Sequence, residues 1–173
     1  MQKDLNLNAS QVAQIKALHE KRKAEMKAEF DKFADGYRTT HSAPLALTGE
    51  SSAFFAEYKA QKLAEWLPEF FRGKPHSILD FGCGDGLMTN FVKQQFPQAS
   101  VHGVDPSQES IKIAQQQYPD LEFYVSGDNL SFYSNKQFDV IYAAGVFHHI
   151  PFELHEHFMQ ELNRILKPQG ILI

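Results

Sequence analysis

The sequence of 173 residues is poor in several features that define whole classes of protein. It has one cysteine, Cys83, so no disulfide can form within the chain and a reducing compartment is expected. The polar N-terminus lacks the hydrophobic region of a secretory signal, and no apolar run approaches the length of a membrane span. The formal net charge of −4 lacks the basic surplus typical of nucleic-acid binders. These absences predict a cytoplasmic protein that acts neither in a membrane nor on nucleic acid.

The second half of the chain alternates short apolar strands with helical patterns. This alternation predicts an α/β fold: a doubly wound, mostly parallel sheet with right-handed crossovers. The predicted strands are residues 77–81, 100–104, 121–125, 138–143 and 170–173, and the predicted helices between them are 86–96, 107–118 and 151–166.

The first part of the chain has a different pattern. Apolar residues recur at helical spacing over residues 10–35 and 52–67, and Pro68 is expected to end or kink the second helix. We therefore divide the chain into an N-terminal helical extension, residues 1–73, and a sheet core, residues 74–173. The chain stops inside an apolar run, which leads us to expect a C-terminally truncated core, because natural domains rarely leave such a sheet edge open.

The most informative motif follows the first predicted strand and reads Ile-Leu-Asp-Phe-Gly-Cys-Gly-Asp-Gly over residues 78–86. Glycines that alternate at the carboxyl end of a strand let the backbone turn tightly and let a ligand lie against bare peptide. The next helix directs its amide groups and positive dipole end towards the same place. This pattern predicts a crevice for a nucleotide-type ligand.

The charges around this turn discriminate between nucleotides. Asp80 and Asp85 flank it, and no lysine or arginine lies between Lys74 and Lys93. Two carboxylates beside a diphosphate would oppose binding in a partly desolvated cleft, whereas they suit the ammonium and sulfonium groups of S-adenosylmethionine. The third glycine of a dinucleotide turn and the Gly-Lys-Ser/Thr ending of a phosphate loop are both missing. A nicotinamide-dinucleotide oxidoreductase stays open as an alternative.

The ends of the second and third predicted strands also carry polar residues. Asp105 lies nineteen residues beyond Gly86, where a carboxylate can accept hydrogen bonds from both ribose hydroxyls. After the third strand, Asp128 and Asn129 can accept a hydrogen bond from the amino group of adenine. Together these residues predict a site for an adenosyl group.

From about residue 74 onwards, the successive motifs of this chain resemble those of class I S-adenosylmethionine-dependent methyltransferases. The motifs lie at residues 78–86, 101–105, 127–128, 138–150 and 161–173. The resemblance implies a Rossmann-like methyltransferase fold with strand order 3-2-1-4-5-7-6, of which this chain holds five strands. It also implies site residues: Gly82, Gly84 and Gly86 along the methionine half of the cofactor, Asp80 near its amino group, Ala143 and Ala144 beside the methionine moiety, and Tyr37 on a lid.

The resemblance implies methyl transfer to a small-molecule acceptor, with S-adenosylhomocysteine as product. His148 and His149 follow the fourth strand at the mouth of the crevice, and either one is a candidate base for an oxygen acceptor, although both can equally well only frame the loop. The histidine spacing matches no standard zinc pattern, so no metal is expected. A non-catalytic binding module is a further alternative. A second copy of the chain could pair through the N-terminal helix or the fifth strand.

Overall fold

The computed structural model describes residues 52–127 and 129–173. The predicted helix at 10–35, the lid residue Tyr37 and Asp128 therefore lie outside the described residues. The described elements are α1 (Ser52–Phe70), β1 (Ser77–Phe81), α2 (Leu87–Gln95), β2 (Ser100–Asp105), α3 (Gln108–Gln117), β3 (Glu122–Val125), β4 (Phe138–Tyr142), a 3₁₀ turn (Phe147–His149), α4 (Phe152–Ile165) and β5 (Leu166–Leu172).

The five strands form one parallel sheet in the order β3-β2-β1-β4-β5. This confirms the predicted fold class and the predicted order of the first five strands. β1 lies in the middle, and its Asp80 is opposite Gly103 of β2 and Tyr142 of β4. The carboxyl ends of these three strands therefore lie side by side, with Asp80 near the end of β1 and Asp105 at the end of β2.

Helices cover both faces of the sheet, because side chains alternate along each strand. On one face, α1 and α2 pack against residues such as Ile78 and Val140. On the other, α4 packs against Leu79 and Phe81. The burial of α1 through Ala60, Leu63 and Leu67 joins it to the sheet. The domain boundary between residues 73 and 74 stays a prediction.

Two predicted boundaries are wrong. Helix α1 does not stop before Pro68 but continues to Phe70. Leu67 anchors this last turn in the core, and its carbonyl accepts a hydrogen bond from Phe71 N at 2.8 Å, so the proline costs only its own missing donor.

The second wrong boundary is the start of the fifth strand. β5 begins at Leu166, directly after α4, rather than at residue 170. Pro168 and Gly170 disfavour the prediction of a strand at these residues from the sequence. Proline is tolerated here because β5 is an edge of the described sheet and its register with β4 shifts between Phe138 and Val140.

Over the described ranges, none of the helices has the length and apolar character that crossing a membrane requires.

Candidate ligand-binding crevice

The three glycines after β1 all have left-handed backbone conformations, with φ of +83° at Gly82, +54° at Gly84 and +80° at Gly86. A Cβ on Gly82 would lie 2.3 Å from Val146 Cγ2, and one on Gly86 would lie 2.7 Å from Phe123 Cζ. A Cβ on Gly84 would meet no atom of the described residues within 4 Å. The outer glycines therefore serve close packing, whereas Gly84 leaves bare peptide beside open space, as a ligand cradle requires.

Five backbone amides of this turn are already used within the protein. Gly82 and Cys83 donate to Val104 O (2.8 and 3.0 Å), Gly84 to Asp105 Oδ2 (2.9 Å), Gly86 to Cys83 O (3.0 Å) and Leu87 to Asp85 Oδ1 (3.2 Å). A phosphate-binding turn instead presents free amides to the ligand. The hydrogen bonding thus agrees with the acidic charge of the turn in disfavouring a diphosphate.

Asp80 lies beneath the turn with only 2% of its surface exposed. It accepts a hydrogen bond of 2.6 Å from Thr89 Oγ1. The hydroxyl of Tyr142 is buried next to this carboxyl, yet it makes no hydrogen bond of normal geometry with the described residues. Burial raises the pKa of Asp80 to about 7, and the nearby Asp105 adds to the rise, while Thr89 and Tyr142 oppose it. A cation bound above this carboxyl would favour its charged form.

Asp105 ends β2 and is 6% exposed. Its Oδ2 accepts from Gly84 N and its Oδ1 accepts from Ser107 N, each at 2.9 Å. A carboxylate oxygen can accept more than one hydrogen bond, so these two bonds do not by themselves exclude ribose hydroxyls. The carboxylate therefore also ties the glycine turn to β2, a structural role that the sequence did not suggest.

The remaining predicted contacts follow the carboxyl ends of β4 and β3. Ala143 is half-buried and Ala144 exposed, directly after β4. Asn129 is exposed in the loop after β3, and its Oδ1 accepts a hydrogen bond of 3.2 Å from Ser131 N. The structure thus brings Asp80, the glycines and Asp105 together, with Ala143 on the neighbouring strand.

His148 and His149 lie on the 3₁₀ turn after β4, both exposed, with ring centroids 3.8 Å apart. His155, which the sequence predicts as a surface residue of the last helix, is instead half-buried on α4. Its Nε2 lies 3.0 Å from Phe147 O and 2.9 Å from Ile150 O, so this nitrogen donates its proton to the turn that carries the histidine pair. Within the described part of the chain, no three His, Cys, Asp or Glu residues are grouped to hold a metal ion.

Cys83 fills space inside the turn. It is buried, and burial together with the nearby carboxylates of Asp80 and Asp105 raises the pKa of its thiol well above the usual value. Its Sγ also occupies the space beside Gly103, where a Cβ would approach it to 2.8 Å. A thiol held in its neutral form is a weak nucleophile, so the packing role is favoured.

A cavity of about 210 Å³ lies beside the crevice, between α1 and the ends of β4 and β5. Its lining is mainly apolar and includes Trp66, Met88, Tyr142 and Ala143. The side chains of Lys59 and Lys62 also line it. Ala143, which the sequence predicts beside the methionine moiety of the cofactor, lines this cavity.

A parallel sheet whose central strand leads into a glycine cradle, with an acidic residue ending the next strand, defines a Rossmann-like nucleotide-ligand protein. The sequence model of the family described as methyltransferase domain matches residues 78–170, more than half of the chain, and the chain belongs to this family. The matched segment contains the glycine turn, Asp105, β4 and α4.

Similar proteins agree with this membership. The chain is 33% identical over 126 residues to malonyl-[acyl-carrier protein] O-methyltransferase of Halalkalibacterium halodurans, covering 66% of this chain and 45% of that protein. It is 30% identical over 118 residues to trans-aconitate 2-methyltransferase of Azoarcus sp., covering 68% and 46%. The crystal structure of a TehB-like methyltransferase from Corynebacterium glutamicum has the same fold, with a TM-score of 0.60 at 23% identity over 82% of this chain and 71% of that one.

The chain spans about half the length of the curated relatives that it matches. The family membership confirms the prediction of a class I S-adenosylmethionine-dependent methyltransferase and of its cofactor class, and it disfavours the nicotinamide alternative. The roles of the individual residues stay predictions.

Proposed function

We propose that the protein transfers a methyl group from S-adenosylmethionine to a small-molecule acceptor. The observation that carries this proposal is the glycine turn, which offers open space at Gly84, uses its own amides internally and lies between carboxylates. These properties fit a cationic adenosyl ligand better than a phosphate. When bound, the cofactor supplies a methyl group that its sulfonium has already activated.

The residues of the chain would bind and align this ligand. Asp105 would accept hydrogen bonds from ribose, Asn129 would contact adenine, and Asp80 would stabilise the amino group of the methionine half. Gly82, Gly84, Gly86, Ala143 and Ala144 would form the wall. Alignment of donor and acceptor with exclusion of water is the main contribution that a protein makes to such a transfer. An oxygen acceptor would additionally need a base. His148 and His149 are the first exposed titratable side chains after β4 in the chain.

The acceptor side points to an acidic compound. Lys59 and Lys62 both line the cavity beside the crevice, and Lys62 forms an ion pair with Glu65, so the proposal relies on the charge of Lys59. This charge would favour an acceptor that carries a carboxylate, and the malonyl and trans-aconitate groups in the names of the relatives are both acids. The acceptor would enter from the cavity and meet the cofactor beside Ala143.

Calorimetric titration followed by a turnover assay tests the proposal. We expect S-adenosylmethionine and S-adenosylhomocysteine to bind and NAD not to bind. Small dicarboxylates should accept methyl groups, and the corresponding diamides are the matched neutral controls. Tight binding of NAD alone would contradict the proposal. Binding of the adenosyl ligands with no turnover on any acceptor would favour the non-catalytic binding module.

Asp105→Ala should weaken binding of S-adenosylhomocysteine by roughly 1.5–3 kcal/mol, the range for hydrogen bonds to a charged group. The variant should also lose stability, because Gly84 N and Ser107 N lose their acceptor. Calorimetry below the unfolding temperature separates the two effects. Asp120→Ala, at an exposed position after α3, is the control. An unchanged affinity would show that the carboxylate of β2 does not contact the ligand.

We also propose that the protein acts in the cytoplasm, with a small acceptor rather than a nucleic acid as its partner. The single cysteine and the acidic net charge support this. Self-association through the N-terminal helix or β5 stays a proposal, supported for β5 by its place at an edge of the described sheet. Sedimentation at several protein concentrations would measure it.

A further inference from the structure

The loop between β3 and β4 is held by side chains of a helix in addition to its own backbone hydrogen bond from Tyr133 N to Leu130 O (2.9 Å). It follows the carboxyl end of β3 and includes Asn129, the predicted contact to adenine. Leu130 and Tyr133 fix its inner side in the core, where both are buried. Backbone groups next to these anchors need hydrogen-bond partners, because a partly buried amide or carbonyl is costly to leave unpaired.

Glu161 and Arg164 of α4 provide those partners. Leu130 N donates to Glu161 Oε2 at 2.9 Å. Arg164 donates to Leu130 O at 3.0 Å, to Tyr133 O at 3.0 Å and to Asn135 Oδ1 at 2.9 Å. Both backbone groups of Leu130, the residue after Asn129, are therefore held by α4.

The two side chains also fix each other. Arg164 Nε and Nη2 donate to the two carboxylate oxygens of Glu161 at 3.0 and 2.9 Å, a bidentate arrangement with a defined plane. The side chains are 28% and 17% exposed, so water competes only in part. The hydrogen bond from Arg164 lowers the pKa of Glu161 to about 2, so the pair stays charged throughout the neutral range.

Asn129 is connected to the Glu161–Arg164 pair through its neighbours in the chain. Its Oδ1 accepts from Ser131 N, so the orientation of its side chain follows the backbone on either side of Leu130. Gly127, on the other side, has no atom of the described residues within 4 Å of the position of a Cβ. Asn129 is thus exposed, and the hydrogen bonds of Glu161 and Arg164 hold the backbone beside it.

We propose that Glu161 and Arg164 are positioning residues that set the selectivity of the crevice for the 6-amino group of adenine. They do so by fixing the segment around Asn129, and they make no contact with the ligand themselves. This inference rests on the proposed function, because it takes an adenosyl compound as the ligand of the crevice.

The test compares two ligands that differ at the 6-position of the purine ring. S-adenosylhomocysteine carries the amino group, and S-inosylhomocysteine carries an oxo group in its place. Calorimetry on the full-length chain should show that the unmodified protein prefers the adenosyl compound at least tenfold. Arg164→Met keeps most of the side-chain volume. It should lower the affinity for S-adenosylhomocysteine about tenfold and reduce the preference for this compound over S-inosylhomocysteine to below threefold. Arg164→Lys and Glu161→Gln should give intermediate preferences.

Arg72→Met, at an exposed position between α1 and β1, is the control and should keep the full preference. Thermal unfolding monitors each variant, and Arg164→Lys with Glu161→Gln carry the test if Arg164→Met does not fold. If Glu161 and Arg164 had a purely structural role, their substitution would lower the affinity for both ligands by the same factor, and that result would overturn the inference. Equal binding of both ligands to the unmodified protein would overturn it while leaving the proposed function intact. Binding of neither ligand would overturn both.

Discussion

Replacing Asp80 by asparagine is expected to stabilise the ligand-free protein by about 2 to 4 kcal/mol at pH 8, since one unit of pKa shift corresponds to about 1.4 kcal/mol. Burial raises the pKa of this carboxyl from 3.8 to about 7 in the folded protein. The folded chain therefore binds more protons than the unfolded chain between about pH 4 and 7, and stability falls as the pH rises through this window. Asparagine has no charge to bury and can still accept the hydrogen bond from Thr89.

The same substitution should lower the affinity for S-adenosylmethionine at least tenfold, because the charged carboxylate is the proposed partner of the ligand's ammonium group. Urea unfolding at pH 5 and pH 8 gives the stability of both proteins, and calorimetry at pH 8 gives the affinities. The gain in stability from Asp80→Asn should be larger at pH 8 than at pH 5. Asp120→Asn, exposed after α3, is the control for a lost surface charge. A stability difference that does not change with pH would show that Asp80 ionises normally.

The sequence was sufficient to predict the parts of the site that depend on local spacing. β1 has the predicted bounds, and the glycines after it have the positive φ values that their alternation suggests. Asp105 lies at the end of β2, next to this turn, because parallel strands align their carboxyl ends. The spacing of residues does not determine the order of the strands in the sheet. That order was predicted from the family resemblance.

The parts that could not be predicted depend on contacts between distant segments. Burial by the surrounding elements raises the pKa of Asp80, and Thr89 of α2 and Tyr142 of β4 oppose the rise, so the shift has no local signal in the sequence. The hydrogen bonds from Arg164 to the loop before β4 are equally non-local. Charged residues on an amphipathic helix usually face solvent, and only the folded structure shows which of them bind a neighbouring backbone.

Alanine at the three glycines of the turn should separate folding from binding. Gly82→Ala should cost about 2–5 kcal/mol of stability, because the left-handed conformation costs about 1–2 kcal/mol and the clash with Val146 adds about 1–3 kcal/mol. Gly86→Ala should behave in the same way through Phe123. Gly84→Ala should lose only about 1–2 kcal/mol, since its Cβ meets open space. Its affinity for S-adenosylhomocysteine should nevertheless fall more than tenfold, because the proposed ligand position is beside Gly84.

A double variant tests the cause of the effect at Gly82. The Cβ of Gly82→Ala would lie within 3 Å of both Val146 methyl carbons, at 2.3 and 2.8 Å, so Val146→Ala removes the atoms that clash. The double variant should be about 1–2 kcal/mol more stable than the sum of the two single changes predicts, which urea unfolding can measure. Additive losses would mean that backbone strain alone accounts for the glycine. For Gly84, normal affinity in a folded alanine variant would show that the ligand lies away from this peptide, and the cradle would then be a packing feature only.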